Sequence, residues 1–378
     1  MNKIDKTLLS LACGGVQGLK PYEPGKPIEE LEREYGISNV VKLASNENPL
    51  GISAKVKKVI QDNIDDLSLY PDGNAFYLKA AIAKHLSSPE QTIATENITV
   101  GNGSNDVLEI IAHCFADHNA EVIYSAHAFA VYPIVTQAVG AKHVATPAIN
   151  WGHDLDAMAA AINEKTRLIF IANPNNPTGT WLTAKALHDF LAKVPDSVIV
   201  VVDEAYHEYI SEAAYSSALD WLNEFPNLIV TRTFSKAYGL AGLRIGYGVS
   251  HPAVTNILNR VRQPFNANSL ALAAAETALS DTDFLEKSVE VNNRGMRQLT
   301  QAFGEMSLEY IPSAGNFVCV DTKTDGNKVY EALLKKGVIV RPVGPYRMPN
   351  HLRVSVGSEA DNGVFISSLK SVLSEMGV

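Results

Sequence analysis

The residues best suited to do chemistry lie in Thr233-Phe234-Ser235-Lys236-Ala237-Tyr238-Gly239-Leu240-Ala241-Gly242-Leu243-Arg244, which follows the apolar run Leu228-Ile229-Val230 two residues on. A lysine in a weakly charged segment can lose its proton more readily than a surface lysine. It can then act as an amine nucleophile that forms a Schiff base. Thr233, Ser235 and Arg244 are residue types that hold a phosphate beside such an amine. A strand, a turn and a helix with an incidental lysine would leave the same local pattern, so this stretch alone does not decide.

Further candidates follow other apolar runs. Gly103-Ser104-Asn105, after Ile98-Thr99-Val100, offers backbone N–H groups and a helix N-terminus to an anion. Asp203 follows five apolar residues, where a carboxylate is costly without a cationic partner. A protonated ring nitrogen would serve, and so would a helix N-cap role. Tyr206 and Asn176 can donate to a ring oxygen or fill a core and a turn, and Phe129 alone is an ordinary core phenylalanine. A lysine amine, a phosphate cradle, an aspartate for a ring nitrogen and two donors for a ring oxygen together describe pyridoxal 5′-phosphate. No complete GxGxxG, Walker A or GxSxG sequence competes with that reading.

The elements that must position these residues are legible in outline. From about residue 97, apolar strands alternate with helices, as in a largely parallel α/β sheet covered on both faces. In such sheets ligands bind beyond the carboxyl ends of the strands, where these motifs fall. The chain reads as an extended arm (1–50) with several turns and then a short helix over Ile28–Tyr35, a large domain (51–255) and a smaller α+β domain (256–378), with the arm packed on the last. A composition of 46% hydrophobic and 19% charged residues is that of a globular enzyme, and a net charge of −9 argues against a nucleic-acid surface. Three distant cysteines and ten histidines without HExxH suggest neither disulfides nor a metal. Leu8–Cys13 is too short for a signal peptide and Asp5 is misplaced for one, so a cytoplasmic protein is expected.

Asn-Pro-Asn-Asn-Pro-Thr-Gly (173–179), Asp-Glu-Ala-Tyr (203–206) and the 233–244 stretch resemble the fold-type I pyridoxal-phosphate aminotransferases. Within that group the chain is most similar to the histidinol-phosphate aminotransferase family. The likeness extends to Lys-Pro-Tyr-Glu-Pro-Gly-Lys-Pro (20–27), Lys-Leu-Ala-Ser-Asn-Glu-Asn-Pro-Leu-Gly (42–51), Tyr-Pro-Asp-Gly (70–73) and Met-Pro-Asn-His-Leu-Arg-Val-Ser-Val-Gly (348–357).

The resemblance implies that Lys236 is the Schiff-base lysine and proton carrier, that Asp203 pairs with the pyridine nitrogen, and that Asn176 and Tyr206 bond the 3′ oxygen. It implies that Phe129, first in an aromatic-x-x-Tyr pattern completed by Tyr132, stacks on the ring. Gly103, Ser104, Asn105, Thr233, Ser235 and Arg244 would hold the phosphate, with Tyr70 reaching over from a second subunit of a homodimer. Many relatives have Ala-Asp where this chain has Ser104-Asn105, a change that keeps the backbone donors. Arg353 would receive the α-carboxylate of glutamate, and Arg341 and Tyr22 the phosphate of histidinol phosphate, with Asn46 lining the pocket. The implied reaction converts L-histidinol phosphate and 2-oxoglutarate to imidazole-acetol phosphate and glutamate. An aromatic amino acid aminotransferase, a threonine-phosphate decarboxylase and a non-catalytic pyridoxal-phosphate-sensing module remain as alternatives.

Overall fold

The computed structural model describes residues 3–21 and 25–378. Seven strands build the main sheet: Ile98–Gly101 (β1), Glu121–Ser125 (β2), Lys142–Thr146 (β3), Thr166–Ala172 (β4), Ile199–Asp203 (β5), Leu228–Thr233 (β6) and Gly246–Ser250 (β7). Their order is β1-β7-β6-β5-β4-β2-β3. Only β7 runs antiparallel to its neighbours. Side chains alternate across a strand, and here both faces are apolar. Ile169, Ile171, Val200, Val202 and Val230 pack with the helices Ala54–Asp62, Phe76–Leu86 and Ser269–Leu279. Leu168, Phe170, Val201 and Ile229 pack on the other side with Ser104–Phe115, Val131–Ala138 and Pro252–Val261. Ser53, Thr183 and Asn268 each cap a helix by accepting a backbone N–H, which stabilises its first turn by about 1 kcal/mol.

A second, antiparallel sheet holds Tyr310–Ile311 (β8), Phe317–Asp321 (β9), Arg341–Pro342 (β10) and His351–Ser355 (β11), in the order β8-β9-β11-β10. Val318, Val320, Leu352 and Val354 turn one face toward the helices Thr282–Glu305, Gly326–Lys335 and Glu359–Met376.

The arm departs from the extended reading. Lys3–Ser10 and Gly14–Gln17 are short helices ahead of Ile28–Tyr35. No proline or glycine interrupts Lys3–Ser10, so nothing local opposes helix there. The arm also divides its packing. Val41–Lys42 pairs in parallel with Val338–Ile339, and Leu31 and Ala44 cluster with Leu334 and Ile339 beside the smaller sheet. Gly15 instead lies against Val131–Ala138, so close that a Cβ would stand 2.0 Å from the Gln137 carbonyl oxygen. Among the described residues no helix is long and apolar enough to cross a membrane, and no group of three or more His, Cys, Asp or Glu side chains could hold a metal ion.

Candidate active site

The carboxyl ends of β5 and β6, the loop after β1 and one face of the smaller sheet enclose a cavity of about 250 Å³. Lys236 enters it from the turn after β6, its Nζ 3.2 Å from the Ser45 carbonyl oxygen and 5.8 Å from the Tyr206 ring centre. Burial pushes the Lys236 pKa down to about 8, and the nearby positive charge of Arg353 adds to that. At pH 7–8 an appreciable fraction of this amine is therefore neutral.

Asp203 ends β5 and is 5% exposed. The Tyr132 hydroxyl donates to its Oδ2 at 2.9 Å and the Thr231 hydroxyl to its Oδ1 at 3.0 Å. Thr231 is its register partner on β6, so the sheet itself supplies that donor. Burial pushes the Asp203 pKa up to about 6, and the hydrogen bonds offset only part of the rise. Among the described residues no Lys, Arg or His side chain is hydrogen-bonded to it.

Tyr206 OH accepts from Asn46 Nδ2 at 3.0 Å and from Asn176 Nδ2 at 3.2 Å. A phenol has two acceptor positions and one proton, so with both acceptors used the proton is left to donate to something else in the pocket. Asn46 thus stands beside Tyr206 and also accepts from Ser355 Oγ at 2.9 Å.

The opposite end is an anion cradle. Gly103 precedes the helix Ser104–Phe115 at φ +84°, and a Cβ there would lie 2.4 Å from Arg244 Nη2. The Arg244 guanidinium also donates to Ser235 Oγ at 3.3 Å, and the Ser235 N–H is held by Thr233 Oγ1 at 3.1 Å. A helix N-terminus, two hydroxyls and a guanidinium stand together at this end of the cavity, and the missing Gly103 side chain is what lets Arg244 approach.

Arg353 lies on β11 directly opposite Arg341 on β10, and side chains so paired share a face. Both line the cavity. Arg353 donates to Asn176 Oδ1 and to the Ala44 carbonyl, each at 2.7 Å, while its buried Nε has no hydrogen-bond partner among the described residues.

Of the expected site residues, Ser104, Asn105, Phe129, Asn176, Asp203, Tyr206, Thr233, Ser235, Lys236, Arg244, Asn46, Arg341 and Arg353 all line this cavity, and Gly103 touches Arg244 at its edge. Tyr70 does not enter it; its side chain is 83% exposed and stacks on Phe265. Tyr22 lies outside the described residues. The sequence did not reveal Thr231 and Tyr132 as the holders of Asp203, nor Ser45, Glu47 and Tyr346 as lining residues. Thr231 could have been found from strand register, while Tyr346 follows Gly344-Pro345 with no signal of its own.

This fold and this site define an aminotransferase. Residues 38–369 match the family described as aminotransferase class I and II, and the chain belongs to that family. Histidinol-phosphate aminotransferase 1 of Idiomarina loihiensis is 55% identical over 364 residues, 96% of this chain and 98% of that protein. Its counterpart from Nitrosococcus oceani is 57% identical over 365 residues, 97% of each chain. The crystal structure of histidinol-phosphate aminotransferase from Sinorhizobium meliloti in complex with pyridoxal-5′-phosphate superposes with a TM-score of 0.88 at 28% identity, covering 96% of this chain and 97% of that one. A double mutant of aspartate aminotransferase from Thermus thermophilus shares the fold, with a TM-score of 0.81 at 21% identity over 96% of this chain and 97% of its own.

Proposed function

We propose that this chain is a pyridoxal-phosphate-dependent histidinol-phosphate aminotransferase that passes the amino group of L-histidinol phosphate to 2-oxoglutarate, forming imidazole-acetol phosphate and glutamate in histidine biosynthesis. Identity above half along nearly the full length of proteins so named supports the substrate. The observation that carries the reading is the paired Arg341 and Arg353 across the cavity from the anion cradle, so that one pocket offers two separate anion sites around one lysine.

The donor set fits pyridoxal phosphate. Gly103, Ser104, Asn105, Thr233, Ser235 and Arg244 would hold the phosphate, and Asp203 would face the ring nitrogen, whose protonated form supplies a hydrogen-bonding cation for the buried carboxylate. Tyr206 and Asn176 would bond the ring oxygen, and Phe129 would cover the ring. When bound, the cofactor supplies an aldehyde for amines and a ring that draws electrons from the substrate carbon bearing nitrogen. Lys236, with its lowered pKa, takes and returns the proton at that carbon. Arg353, with its buried Nε, binds the α-carboxylate of glutamate, and Arg341 with Tyr22 binds the phosphate of histidinol phosphate.

Tyr70 does not line its own cavity, and Ile64, Leu67, Leu69, Phe76 and Tyr77, near it in sequence, are exposed as well. An apolar patch of this kind suits a second copy of the chain, in a homodimer where Tyr70 contacts the partner's phosphate. The site needs no membrane or nucleic acid, and we place the enzyme in the cytoplasm.

The test is single-turnover spectroscopy of the holoenzyme with histidinol phosphate, phenylalanine and glutamate in turn. Fastest loss of the cofactor's absorbance band with histidinol phosphate supports the assignment. Fastest loss with phenylalanine moves the enzyme to the aromatic aminotransferases.

A further inference from the structure

The turn that carries Tyr70 is tied to the phosphate loop of its own protomer by contacts that no step above uses. Tyr70 stacks on Phe265 with ring centroids 4.8 Å apart and planes 27° from parallel. Phe265 sits at φ +57°, a backbone region that bulky residues rarely occupy and that persists only where the surroundings impose it. Gly73, at the end of the same turn, leaves room for that ring: a Cβ there would stand 3.2 Å from it.

Behind the stack, Arg262 donates from Nη2 to the Gly73 carbonyl at 2.8 Å and from Nη1 to Asn266 Oδ1 at 2.7 Å. Asn266 Nδ2 donates in turn to the Val100 carbonyl at 3.1 Å and to Asp106 Oδ2 at 2.8 Å. The same carboxylate oxygen accepts the Asn102 N–H at 2.8 Å. Val100 and Asn102 lead directly into Gly103 and Ser104, where the cradle begins.

We propose that Phe265, Arg262 and Asn266 are positioning residues for Tyr70. They set the reach of the tyrosine each protomer lends to its partner from the loop that grips that protomer's own cofactor. An exposed tyrosine on a free turn would have to be ordered each time its hydroxyl was used; the stack and the bracket behind it remove that cost beforehand. The proposal rests on the reading that Tyr70 serves the partner's phosphate site.

The experiment titrates the apoprotein with pyridoxal phosphate, followed by tryptophan fluorescence, and records mass by light scattering. The variants are Tyr70→Phe, Phe265→Ala, Phe265→Tyr, Asn266→Ala and the double variant Tyr70→Phe/Phe265→Ala. Tyr70→Phe and Phe265→Ala should each weaken binding about tenfold in an intact dimer. The double variant should be no weaker than Tyr70→Phe, because Phe265 acts only through that hydroxyl. Phe265→Tyr, which keeps the stack, should bind as the unaltered protein does. Asn266→Ala cuts the other end of the bracket and should also weaken binding, which covers the case in which Phe265→Ala fails to fold. Wild-type affinity in both Phe265→Ala and Asn266→Ala, or additive losses in the double variant, overturns the proposal. Unchanged affinity in a dimeric Tyr70→Phe protein overturns the role of Tyr70 itself, and the proposal with it.

Discussion

Asp203 and Lys236 are each held against their preferred charge, and the consequences differ in sign. The folded apoprotein keeps the Asp203 proton up to about pH 6, against roughly pH 4 for an unfolded chain. The folded state thus binds more protons than the unfolded state across that window, and stability falls as pH rises through it, by at most about 3 kcal/mol. Asp203→Asn should raise the melting temperature of the apoprotein above pH 6 and leave it little changed below pH 4, while weakening pyridoxal phosphate binding; melting curves against pH read the first effect. Lys236 behaves in the opposite way. Its folded pKa of about 8 lies below the unfolded value of roughly 10.4, so the cost of burying its charge is fully present below pH 8 and fades as pH rises above it. Stopped-flow mixing of apoprotein with pyridoxal phosphate should show covalent capture accelerating up to pH 8 and levelling beyond it. At the paired arginines, Arg353→Ala should lower kcat/KM for glutamate by about 10–100-fold, the usual worth of a charged hydrogen bond, and for histidinol phosphate by less. Arg341→Gln should affect histidinol phosphate more than glutamate, which separate half-reaction rates will show.

The strand ends and the loops that leave them are the elements that hold the site. At the β5–β6 edge Thr231 meets Asp203, and the next residues form a buried ion pair in which Arg232 Nε and Nη2 donate to Glu204 Oε2 at 3.0 and 2.8 Å. Arg232→Ala would leave Glu204 buried without its cation, which typically costs about 3–5 kcal/mol. The expected result is a marked fall in melting temperature with a correctly folded protein at low temperature. Gly103 is the second sensitive point. Gly103→Ala would need a left-handed backbone conformation and would push on Arg244, so pyridoxal phosphate affinity should fall about tenfold or more in an equilibrium titration. Both elements come from short sequence runs, but the contacts of Thr231 and Arg232 come from β5 and β6 lying side by side, and that of Gly103 with Arg244 from β1 lying beside β7.

For the whole molecule, the exposed position of Tyr70 makes a test of shared sites possible. A Lys236→Ala chain and a Tyr70→Ala chain should each be nearly inactive alone. Unfolded together and refolded as mixed dimers, they should regain about a quarter of the wild-type activity, because half of the dimers then carry one complete site. No recovery would mean that each protomer completes its site without Tyr70 of its partner.

The sequence by itself determined the sheet class and put Lys236, Asp203 and the loop 103–105 at strand ends as candidates, because each follows an apolar run that can be read as a buried strand. It also marked Arg353 through its motif, offered Arg341 as a candidate beside it, and placed Tyr70 in a turn. Only the tertiary structure decided which side chains complete these groups: Thr231 and Tyr132 on Asp203, Asn46 on Tyr206, and Phe265 on Tyr70. Asn46 and Tyr206 are 160 residues apart, and Tyr132 and Asp203 are 71 apart. Partners at such separations leave no local period in the chain; strand register and the packing of the smaller sheet onto the larger bring them together. Lys3–Ser10 became helix where no proline or glycine opposed it, while the packing of Gly15 on Val131–Ala138 depended on a surface that forms only when the larger sheet has folded.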